Sequence, residues 1–277
     1  MRVLLTGWRG FIGGALLRRL KDLGVTVVTY EGDVRDIATY SPQCDVVVHL
    51  AARARTGGAP KDFETMETNV VGALAVAEYA RRSSCPVVFT STCAVYSPET
   101  NSERLSENHP TGPREANGSS KLLAEKLIIF SARLHGFGVI VLRLFNIYGT
   151  GQPKGFLVPD LIHALSVKEP IRLLNPAAVR DFVHVDDVCE AIWKAVGASG
   201  QRDIRVFNIG TGVGTAVVEV ARVLARLGEA GEDWILTGSG GDNSVIVADP
   251  TAAFSQLQWK PQRDLLSGLR ATLQSRS

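Results

Sequence analysis

The stretch LLTGWRGFIGGALL, residues 4–17, decides the fold of this chain. It places Gly7, Gly10 and Gly13 directly after an apolar run and at the start of a pattern with helical spacing. Glycine permits a tight turn and lets backbone N–H groups approach a pyrophosphate, whose negative charge the N-terminus of the following helix favours. Such glycines can also be purely structural, but the strand–turn–helix context predicts a dinucleotide-binding turn.

The first half of the chain alternates short β-branched runs with longer helical patterns. The predicted strands are RVLLT, VTVVTY, DVVVHLAA, PVVFTST and GVIVLRLFN, and the predicted helices are FIGGALLRRLKDLG, FETMETNVVGALAVAEYARRS and GSSKLLAEKLIIFSARLHG. Apolar runs without alternation are typical of a parallel sheet that is buried on both faces. The alternation of strands and helices predicts an α/β fold of Rossmann type with a doubly wound parallel sheet.

Past residue 150 the pattern loosens, with GQPKG, NPAAVR and GSGGDNS as loops. We therefore expect residues 1–150 to form the cofactor-binding domain and residues 151–277 to form mainly a smaller, C-terminal, substrate-binding lobe. The two parts are expected to interleave, with returns to the sheet within 181–210, near Asp181–Val188 and Arg205–Ile209.

Length and composition exclude several classes of protein. The chain has 277 residues, of which 45% are hydrophobic, enough to bury a large core. The formal net charge is +2, without a charged block, so no nucleic acid and no membrane is expected as a partner. No apolar run reaches the ~18 residues that span a bilayer, and the N-terminal run is too short for a signal peptide. The cysteines are scattered without a CxxC pair, which indicates a cytoplasmic protein with reduced thiols.

The residues after the second predicted strand bear on the choice of cofactor. Glu31, closely followed by Asp33, stands where an acidic residue binds the ribose hydroxyls of NAD. A carboxylate repels the 2′-phosphate of NADP, whereas Arg9, inside the glycine turn, could attract it. The two signals conflict, so we expect NAD and leave NADP open. Glu31 could also be a solvated loop acid.

Further motifs along the chain resemble those of one known family. They are TGWRGFIG, GDVRD, VVVHLAA, NVVGALAV, FTSTCAVYS, RLFNIYG, RDFVHVDDV and FNIGTG, followed by LGEAGEDWIL and ADPTAAFSQLQWKP. Over nearly its whole length the chain resembles the extended short-chain dehydrogenase/reductases, in particular the NAD-dependent epimerase/dehydratases that act on nucleotide sugars. The joint order of these motifs is far more specific than the glycine turn alone.

The resemblance implies a set of site residues. Cofactor contacts are implied for Gly7, Arg9, Gly10, Phe11, Ile12, Gly13, Glu31, Asp33, Val34, Leu50, Ala51, Ala52, Asn69 and Lys121. In this set Asp33 and Val34 would line the adenine, Asn69 would brace the active site, and Lys121 would hold the nicotinamide ribose. Thr92 matches the catalytic Ser/Thr, whose hydroxyl group hydrogen-bonds the reacting oxygen.

The catalytic tyrosine of that family is absent. In REANGSSKLLAEKL, residues 114–127, Lys121 is present, but Asn117 stands four residues before it, where the family carries the tyrosine that trades the proton. Residues i and i+4 share a helix face, and the lysine would lower the pKa of that tyrosine. An amide cannot trade a proton near neutral pH. The loss of general acid/base help, worth ~10²–10⁴-fold, would raise the barrier by ~3–5 kcal/mol unless another group replaces it.

Four hypotheses follow from this departure. Hydride transfer could use another proton carrier, such as Tyr96, a water, or Cys93, whose thiol would need a lowered pKa and which could equally be a small buried strand residue. The fold could perform non-redox acid/base or cyclisation chemistry. It could be a catalytically inactive binding or regulatory protein, or a deliberate active-site variant. We favour an NAD(P)-dependent epimerase, dehydratase or oxidoreductase that acts on a sugar-like hydroxyl or keto substrate, with Thr92, Cys93, Asn117 and Lys121 as catalytic candidates.

The substrate side departs from the family as well. Arg180 matches an arginine that pairs with the diphosphate of nucleotide sugars, and Asn146 matches a second diphosphate contact. A later family arginine corresponds here to Ser239, so a smaller sugar or an acyclic hydroxy or keto compound is an alternative substrate. Arg180 could also form a structural ion pair with Asp181 or Asp186.

Two other features receive structural interpretations. His184 with Asp186 and Asp187 is expected to be a helix start that an Asp caps, and no metal site is expected. His49, on a buried strand, is expected to be a satisfied core histidine. The resemblance also implies a homodimer through the helices FETMETNVVGALAVAEYA and GSSKLLAEKLIIFSARL, which would give a closed two-fold interface.

Overall fold

Strands and helices alternate along the chain, and the computed structural model describes residues 1–54, 59–97, 104–238 and 243–275. The strands are β1 (Arg2–Thr6), β2 (Thr26–Thr29), β3 (Val46–His49), β4 (Val87–Thr92), β5 (Val139–Leu144), β6 (Asn146–Tyr148), β7 (Ile171–Leu173), β8 (Val179–His184), β9 (Ile204–Ile209), β10 (Gly214–Ala216), β11 (Ile235–Thr237) and β12 (Val245–Ile246). The helices are α1 (Phe11–Asp22), α2 (Ala59–Ser83), α3 (Ala116–His135), α4 (Leu157–Val167), α5 (Val185–Ala198), α6 (Val217–Leu227), α7 (Thr251–Gln256) and α8 (Leu265–Gln274). Short 3₁₀ helices cover Val34–Thr39, Cys93–Val95 and Glu232–Trp234.

The largest sheet has six parallel strands in the order β2-β1-β3-β4-β5-β9. The chain passes from β1 to β2 on one side of β1 and continues with β3 on the other side, so the strand order reverses there. Ligands of doubly wound sheets bind at the carboxyl ends of the strands beside such a reversal. The predicted Rossmann-type, doubly wound α/β fold is confirmed.

Helices cover both faces of this sheet because successive side chains of a strand point to opposite sides. Val3 and Leu5 belong to one apolar cluster, with side chains of α1 and α5. Leu4, between them, belongs to a second cluster with side chains of α2 and α3. Burial on both faces explains why β1 is a continuous apolar run in the sequence.

The C-terminal part of the chain returns to the first of these clusters. Trp259, which follows α7, is buried in it together with Leu16 of α1 and Ile192 of α5. The indole Nε1 of Trp259 donates a hydrogen bond of 2.9 Å to the carbonyl oxygen of Asp187. Residues distant in sequence therefore complete the core beneath the large sheet.

Smaller sheets form the second lobe. β8 pairs with β10, β12 and β6, and β7 pairs with β11. Of the two predicted returns to the large sheet, the one at Arg205–Ile209 is there as β9, beside β5. The prediction is wrong for Asp181–Val188, because β8 belongs to a small sheet and the residues after it begin α5, which packs against α1. A buried apolar run indicates a strand but not the sheet in which the strand finds its partners.

Helices α2 and α3 pack against each other and leave large apolar side chains exposed. The exposed residues on these helices are Phe63, Val71, Leu74, Leu123, Phe130 and Leu134. No helix within the described ranges is both long enough and apolar enough to cross a lipid bilayer.

Candidate active site

The glycine turn closes directly on the residues that follow β3. Gly7 has a φ of +71°, in the left-handed region that favours glycine, and a Cβ atom there would lie 2.5 Å from the backbone nitrogen of Ala51. A Cβ atom at Gly13 would overlap the carbonyl oxygen of Gly7. Helix α1 starts at Phe11, and its N-cap, Gly10, offers no side-chain acceptor to the first turn. The first N–H groups of α1 are therefore available to an anion in the crevice, which fits a pyrophosphate.

The residues after β3 are tied both to this turn and to α3. Ala51 N donates to Thr6 Oγ1 at 3.2 Å, which joins the ends of β3 and β1 beside Leu50 and Ala52. The buried Asn69 of α2 exchanges two hydrogen bonds with the backbone of Arg53, of 2.8 and 3.0 Å, and its Nδ2 also donates to Ser120 Oγ at 2.8 Å. The side chain of Asn69 is thus occupied within the protein, which supports the bracing role over a direct cofactor contact.

Arg9 and Glu31, the two residues with conflicting cofactor preferences, form an ion pair. Arg9 Nη2 lies 2.5 Å from Glu31 Oε2, and Thr29 Oγ1 donates to Glu31 Oε1 at 3.0 Å. The guanidinium also lies 4.3 Å from the ring centre of Trp8. The two side chains remain 65% and 54% exposed, so the pair faces solvent at the end of β2. In this arrangement Arg9 holds Glu31 in place and is itself neutralised by it.

The stretch predicted to line the adenine is a 3₁₀ helix whose start Asp33 caps. Asp33 accepts hydrogen bonds from Arg35 N and from the Arg35 side chain, at 2.9, 3.0 and 2.6 Å, and these lower the pKa of Asp33 to about 2. Val34 is buried against α2, where a Cβ atom on Gly72 would lie 2.6 Å from its Cγ1. Because the Val34 side chain is buried, we expect its backbone and not its side chain to contact the adenine.

Thr92 ends β4, and Cys93 begins the 3₁₀ helix that follows. Thr92 Oγ1 accepts a hydrogen bond from Ala94 N at 3.2 Å, and its hydroxyl group, which can also donate, interacts with the neighbouring Cys93 thiol. Burial raises the pKa of Cys93 to about 12, and the charge of Arg180 offsets this only in part. The hypothesis that Cys93 carries the proton requires a lowered thiol pKa, and the structure gives the opposite.

Tyr96 is held within a buried polar network. Its hydroxyl group donates to Asn208 Oδ1 at 2.6 Å and accepts from Arg143 Nη1 at 3.1 Å. Burial raises the pKa of Tyr96 to about 12 despite the neighbouring guanidinium. Arg143 in turn forms a buried ion pair with Glu125, 2.8 Å between Nη2 and Oε2. Tyr96 is therefore a structural residue and a poor substitute for the missing tyrosine.

Asn117 and Lys121 lie one turn apart on α3. Lys121 is only 7% exposed, and its Nζ donates a hydrogen bond of 2.8 Å to the carbonyl oxygen of Thr90 in β4. Burial lowers the pKa of Lys121 to about 8, although the charge of Glu125 acts in the opposite direction. The Oδ1 atom of Asn117 is buried and accepts no hydrogen bond from the described residues.

The candidate substrate residues stand on β6 and β8. Arg180 Nη1 donates to the carbonyl oxygens of Val179 and Ser244, at 2.9 and 2.7 Å. The charge of Arg180 lowers the pKa of the Cys93 thiol, so Arg180 lies close to the end of β4. Asn146 Oδ1 is a buried acceptor without a partner among the described residues. Ser239, which replaces the second predicted phosphate contact, lies outside the described residues.

The two histidines interpreted from the sequence, His49 and His184, have structural roles. His49 is buried, and its Nδ1 lies 2.8 Å from Thr6 Oγ1, as expected for a satisfied core histidine. His184, not an aspartate, caps α5, because its Nδ1 accepts from Asp186 N at 3.2 Å. The carboxylate of Asp187 accepts instead from the backbone nitrogens that follow Trp259, at 2.8 and 3.2 Å. The predicted aspartate cap is therefore wrong.

Sequence reasoning missed Glu125, although its spacing carried a signal. Glu125 follows Lys121 by four residues, so the two share a helix face and the carboxylate acts on the lysine. Its buried partner Arg143 gives no local signal, because β5 reaches α3 only through the tertiary fold. Side-chain oxygens of Ser91, Asn117 and Asn146, at or next to the ends of β4, α3 and β6, have no hydrogen-bond partner among the described residues, and they fit a site that binds a polar ligand.

Comparisons with known proteins agree with this geometry. A model of the NAD dependent epimerase/dehydratase family matches residues 3–210. A UDP-glucose 4-epimerase of Streptomyces lividans is 28% identical over 95% of this chain and 92% of the relative. A dTDP-glucose 4,6-dehydratase of Mycolicibacterium smegmatis is 28% identical over 99% of this chain and 92% of the relative. The solved structure of MoeE5 in complex with UDP-glucose and NAD superposes with a TM-score of 0.91, at 28% identity, and covers 100% of this chain and 98% of that one.

Proposed function

The chain belongs to the NAD dependent epimerase/dehydratase family, and from that premise we propose that it is an enzyme that transfers hydride to and from a hydroxyl-bearing carbon of a nucleotide-sugar-like substrate. One observation carries the proposal: the glycine turn at Gly7 follows β1, Thr92 ends β4, and the buried Lys121 of α3 binds the carbonyl oxygen of Thr90 in β4, so the three groups lie toward the carboxyl edge of one parallel sheet. NAD is the cofactor, and when bound it supplies the nicotinamide that accepts or returns the hydride.

The residues of the chain divide the remaining tasks. The free N–H groups at the start of α1 hold the pyrophosphate, and Glu31 accepts hydrogen bonds from the adenosine ribose. Lys121 holds the nicotinamide ribose. Thr92 donates its hydroxyl proton to the reacting oxygen of the substrate, while its Oγ1 accepts from Ala94 N. These groups hold the cofactor and the substrate in a reactive orientation, which lowers the entropic part of the activation barrier.

Arg180 and Asn146 are proposed to contact a diphosphate group. A guanidinium can hold phosphate through parallel hydrogen bonds, and Asn146 can donate through its Nδ2. Because Ser239 replaces a second arginine, we expect a weaker grip on the diphosphate than two arginines would give. A smaller sugar or an acyclic hydroxy or keto compound is the alternative substrate.

The test is a fluorescence titration of the purified protein with NAD⁺, NADH, NADP⁺ and NADPH, followed by incubation with UDP- and dTDP-sugars. We expect quenching by the NAD pair, since Trp8 stands beside the predicted ribose site, and a change in the sugar that NMR detects. Folded protein that binds none of the four nucleotides would overturn the proposal.

The amide at Asn117 favours a second candidate, a catalytically inactive cofactor-binding protein. An inactive protein predicts that Asn117→Ala is silent and that Asn117→Tyr gains activity or changes nothing. A repurposed enzyme predicts that Asn117→Ala lowers turnover. Both variants are compared with the parent protein in the sugar assay, after circular dichroism has shown that they fold.

The exposed apolar side chains of α2 and α3 are proposed to form a homodimer interface. Phe130 and Leu134 of α3 are 65% and 63% exposed, and side chains of this size are more often covered in a stable assembly. We expect Phe130→Glu to halve the mass measured by light scattering. Leu174→Glu, at a residue that is 73% exposed on the other lobe, is the control and should leave the mass unchanged. A parent protein that is already monomeric would contradict the proposal.

A further inference from the structure

The buried amine of Lys121 lacks the surroundings of a stable ammonium ion. Its one hydrogen bond within the described residues is to a neutral acceptor, the carbonyl oxygen of Thr90, at 2.8 Å. The ring of Phe89 lies below it, with 4.8 Å from Nζ to the ring centre, and this face favours a cation by ~2 kcal/mol, less than the several kcal/mol that burial of an unpaired charge costs. A buried charge is normally paired, because removing an ion from water is costly.

The charged and titratable groups that face Lys121 do not supply this pairing. Glu125, one turn further along α3, gives both carboxylate oxygens to Arg143, with Oε1 accepting from Nε at 3.1 Å and Oε2 from Nη2 at 2.8 Å. From β3, His49 faces the lysine, but its burial and the charge of Lys121 lower its pKa to about 3, so it is neutral at pH 7. From α2, the neutral Asn69 reaches only as far as Ser120.

The other titratable groups near the end of β4 are occupied. The Tyr96 hydroxyl group both donates to Asn208 and accepts from Arg143. Burial keeps the Cys93 thiol protonated far above neutral pH. Lys121 is the group that can reach its neutral form close to neutral pH, and the neutral amine has a lone pair that the hydrogen bond to Thr90 does not use.

We propose that Lys121 Nζ itself carries the proton that the missing tyrosine would have carried. In the oxidative direction the O–H bond of the substrate breaks, and its proton adds to the lone pair of Nζ. The C–H bond breaks at the same carbon, its electron pair leaves with the hydrogen as hydride to oxidised nicotinamide, and a C=O bond forms. The carbon is oxidised, the nicotinamide is reduced, and the reverse step returns both hydrogens. This inference rests on the proposed function and names the acid/base of the same site.

Asn117 has a positioning role in this arrangement. It precedes Lys121 by one helical turn, and its buried Oδ1 has no partner among the described residues. That oxygen can accept an N–H of the amine or the hydroxyl group of the substrate, which aligns donor and acceptor.

The first experiment measures the protonation of Lys121 without any turnover. Protein labelled with ¹³C at the lysine Cε atoms is titrated by NMR, and the Lys121 signal is assigned by its loss in Lys121→Arg. We expect a midpoint near pH 8, well below the ordinary lysine value of 10.5. A midpoint at the ordinary lysine value of 10.5 would overturn the inference.

The second experiment separates proton transfer from cofactor binding. Lys121→Arg keeps a cation and hydrogen-bond donors but cannot release a proton, so we expect NAD⁺ affinity within ~10-fold of the parent and a single-turnover rate that is ~10²–10⁴-fold lower. The parent rate should rise with pH and level off near pH 8, and the variant should lose that rise. Lys126→Arg is the matched control and should behave as the parent.

Two failures are distinguishable by these measurements. A parent protein without NAD binding or turnover would refute the proposed function. A parent protein that binds NAD and turns over, with a rate and pH profile that Lys121→Arg retains, would refute only the role of Lys121 and would assign the proton to water.

Discussion

Replacing Glu31 with glutamine should convert an NAD site into one that prefers NADP. Glu31→Gln removes the carboxylate that would repel a 2′-phosphate and at the same time releases Arg9 from its ion pair. Unit charges ~4 Å apart interact by ~1 kcal/mol in water and by ~4 kcal/mol at the effective dielectric of a protein surface. Both residues are about half exposed, so we take a value near the lower limit for each change.

The two changes add because one removes a repulsion and the other creates an attraction. Together they are worth ~2–3 kcal/mol, which corresponds to a roughly 30- to 150-fold gain in NADP⁺ affinity. NAD⁺ should bind up to ~10-fold more weakly, since a neutral amide accepts weaker hydrogen bonds from the ribose than a carboxylate does. Stability should change by less than ~1 kcal/mol, because exposed ion pairs contribute little.

The assay is a titration of tryptophan fluorescence with NAD⁺ and NADP⁺, in which Trp8 reports on Arg9 from 4.3 Å away. Glu219→Gln is the matched control, because Glu219 forms an exposed ion pair with Arg222 on α6, away from the glycine turn. An unchanged ratio of NADP⁺ to NAD⁺ affinity in Glu31→Gln would refute the placement of this pair at the ribose.

Three further predictions concern the turn and the buried charges. Gly13→Ala should abolish NAD binding in the fluorescence titration and lower the free energy of unfolding in urea by ~1–3 kcal/mol, because the added methyl group would overlap backbone atoms of the turn. Gly14→Ala is the control and should change neither, because its methyl group would have an ordinary contact of 3.7 Å. Glu125→Ala should lower the free energy of unfolding by ~3–5 kcal/mol, since it leaves the buried Arg143 unpaired. Lys121→Met should raise the free energy of unfolding at pH 7 by up to roughly 3 kcal/mol, because folding shifts the pKa of the lysine from 10.5 to about 8. The parent protein regains this stability as the pH rises from 8 to 10.5, so the two proteins should be equally stable at pH 10.5 and above.

Specific results would contradict each line of reasoning. Equal NAD affinity in Gly13→Ala and Gly14→Ala would mean that the turn does not depend on close backbone contact. A loss below ~1 kcal/mol in Glu125→Ala would mean that Arg143 reaches solvent when unpaired. A stability difference in Lys121→Met that does not vary between pH 7 and pH 10.5 would show that the lysine titrates normally.

The glycine turn could be predicted from sequence because its requirements are local. Gly7 and Gly13 are needed where neighbouring backbone leaves no room for a side chain, and the strand and helix beside them follow from short-range patterns. The ion pair of Arg9 with Glu31 could not be predicted, since it joins residues of two elements that meet only when β1 and β2 pair. From the sequence, Glu31 favours NAD and Arg9 favours NADP, whereas in the structure the two side chains form one ion pair.

The state of Lys121 and the cap of α5 also depended on the tertiary structure. The helical spacing places Lys121 near Glu125, but only the packing of β5 beneath α3 assigns that carboxylate to Arg143. Similarly, aspartate is a preferred N-cap residue, yet α5 begins at Val185, directly after β8, so His184 takes the cap position and its Nδ1 accepts from Asp186 N. Local sequence preference identifies residues that could pair with Lys121 or cap α5, and the tertiary packing determines which of them does so.

The burial of Trp259 has a consequence for how the protein is made. The ring fills the cluster between α1 and α5, so the core of the N-terminal half lacks this side chain until residue 259 has been synthesised. During translation the apolar faces of β1 and α1 therefore remain incompletely covered until most of the chain has been synthesised. Such surfaces are the ones that chaperones recognise and that aggregate at high concentration. We expect ribosome-bound chains that stop before Trp259 to be more sensitive to protease than chains that extend past it.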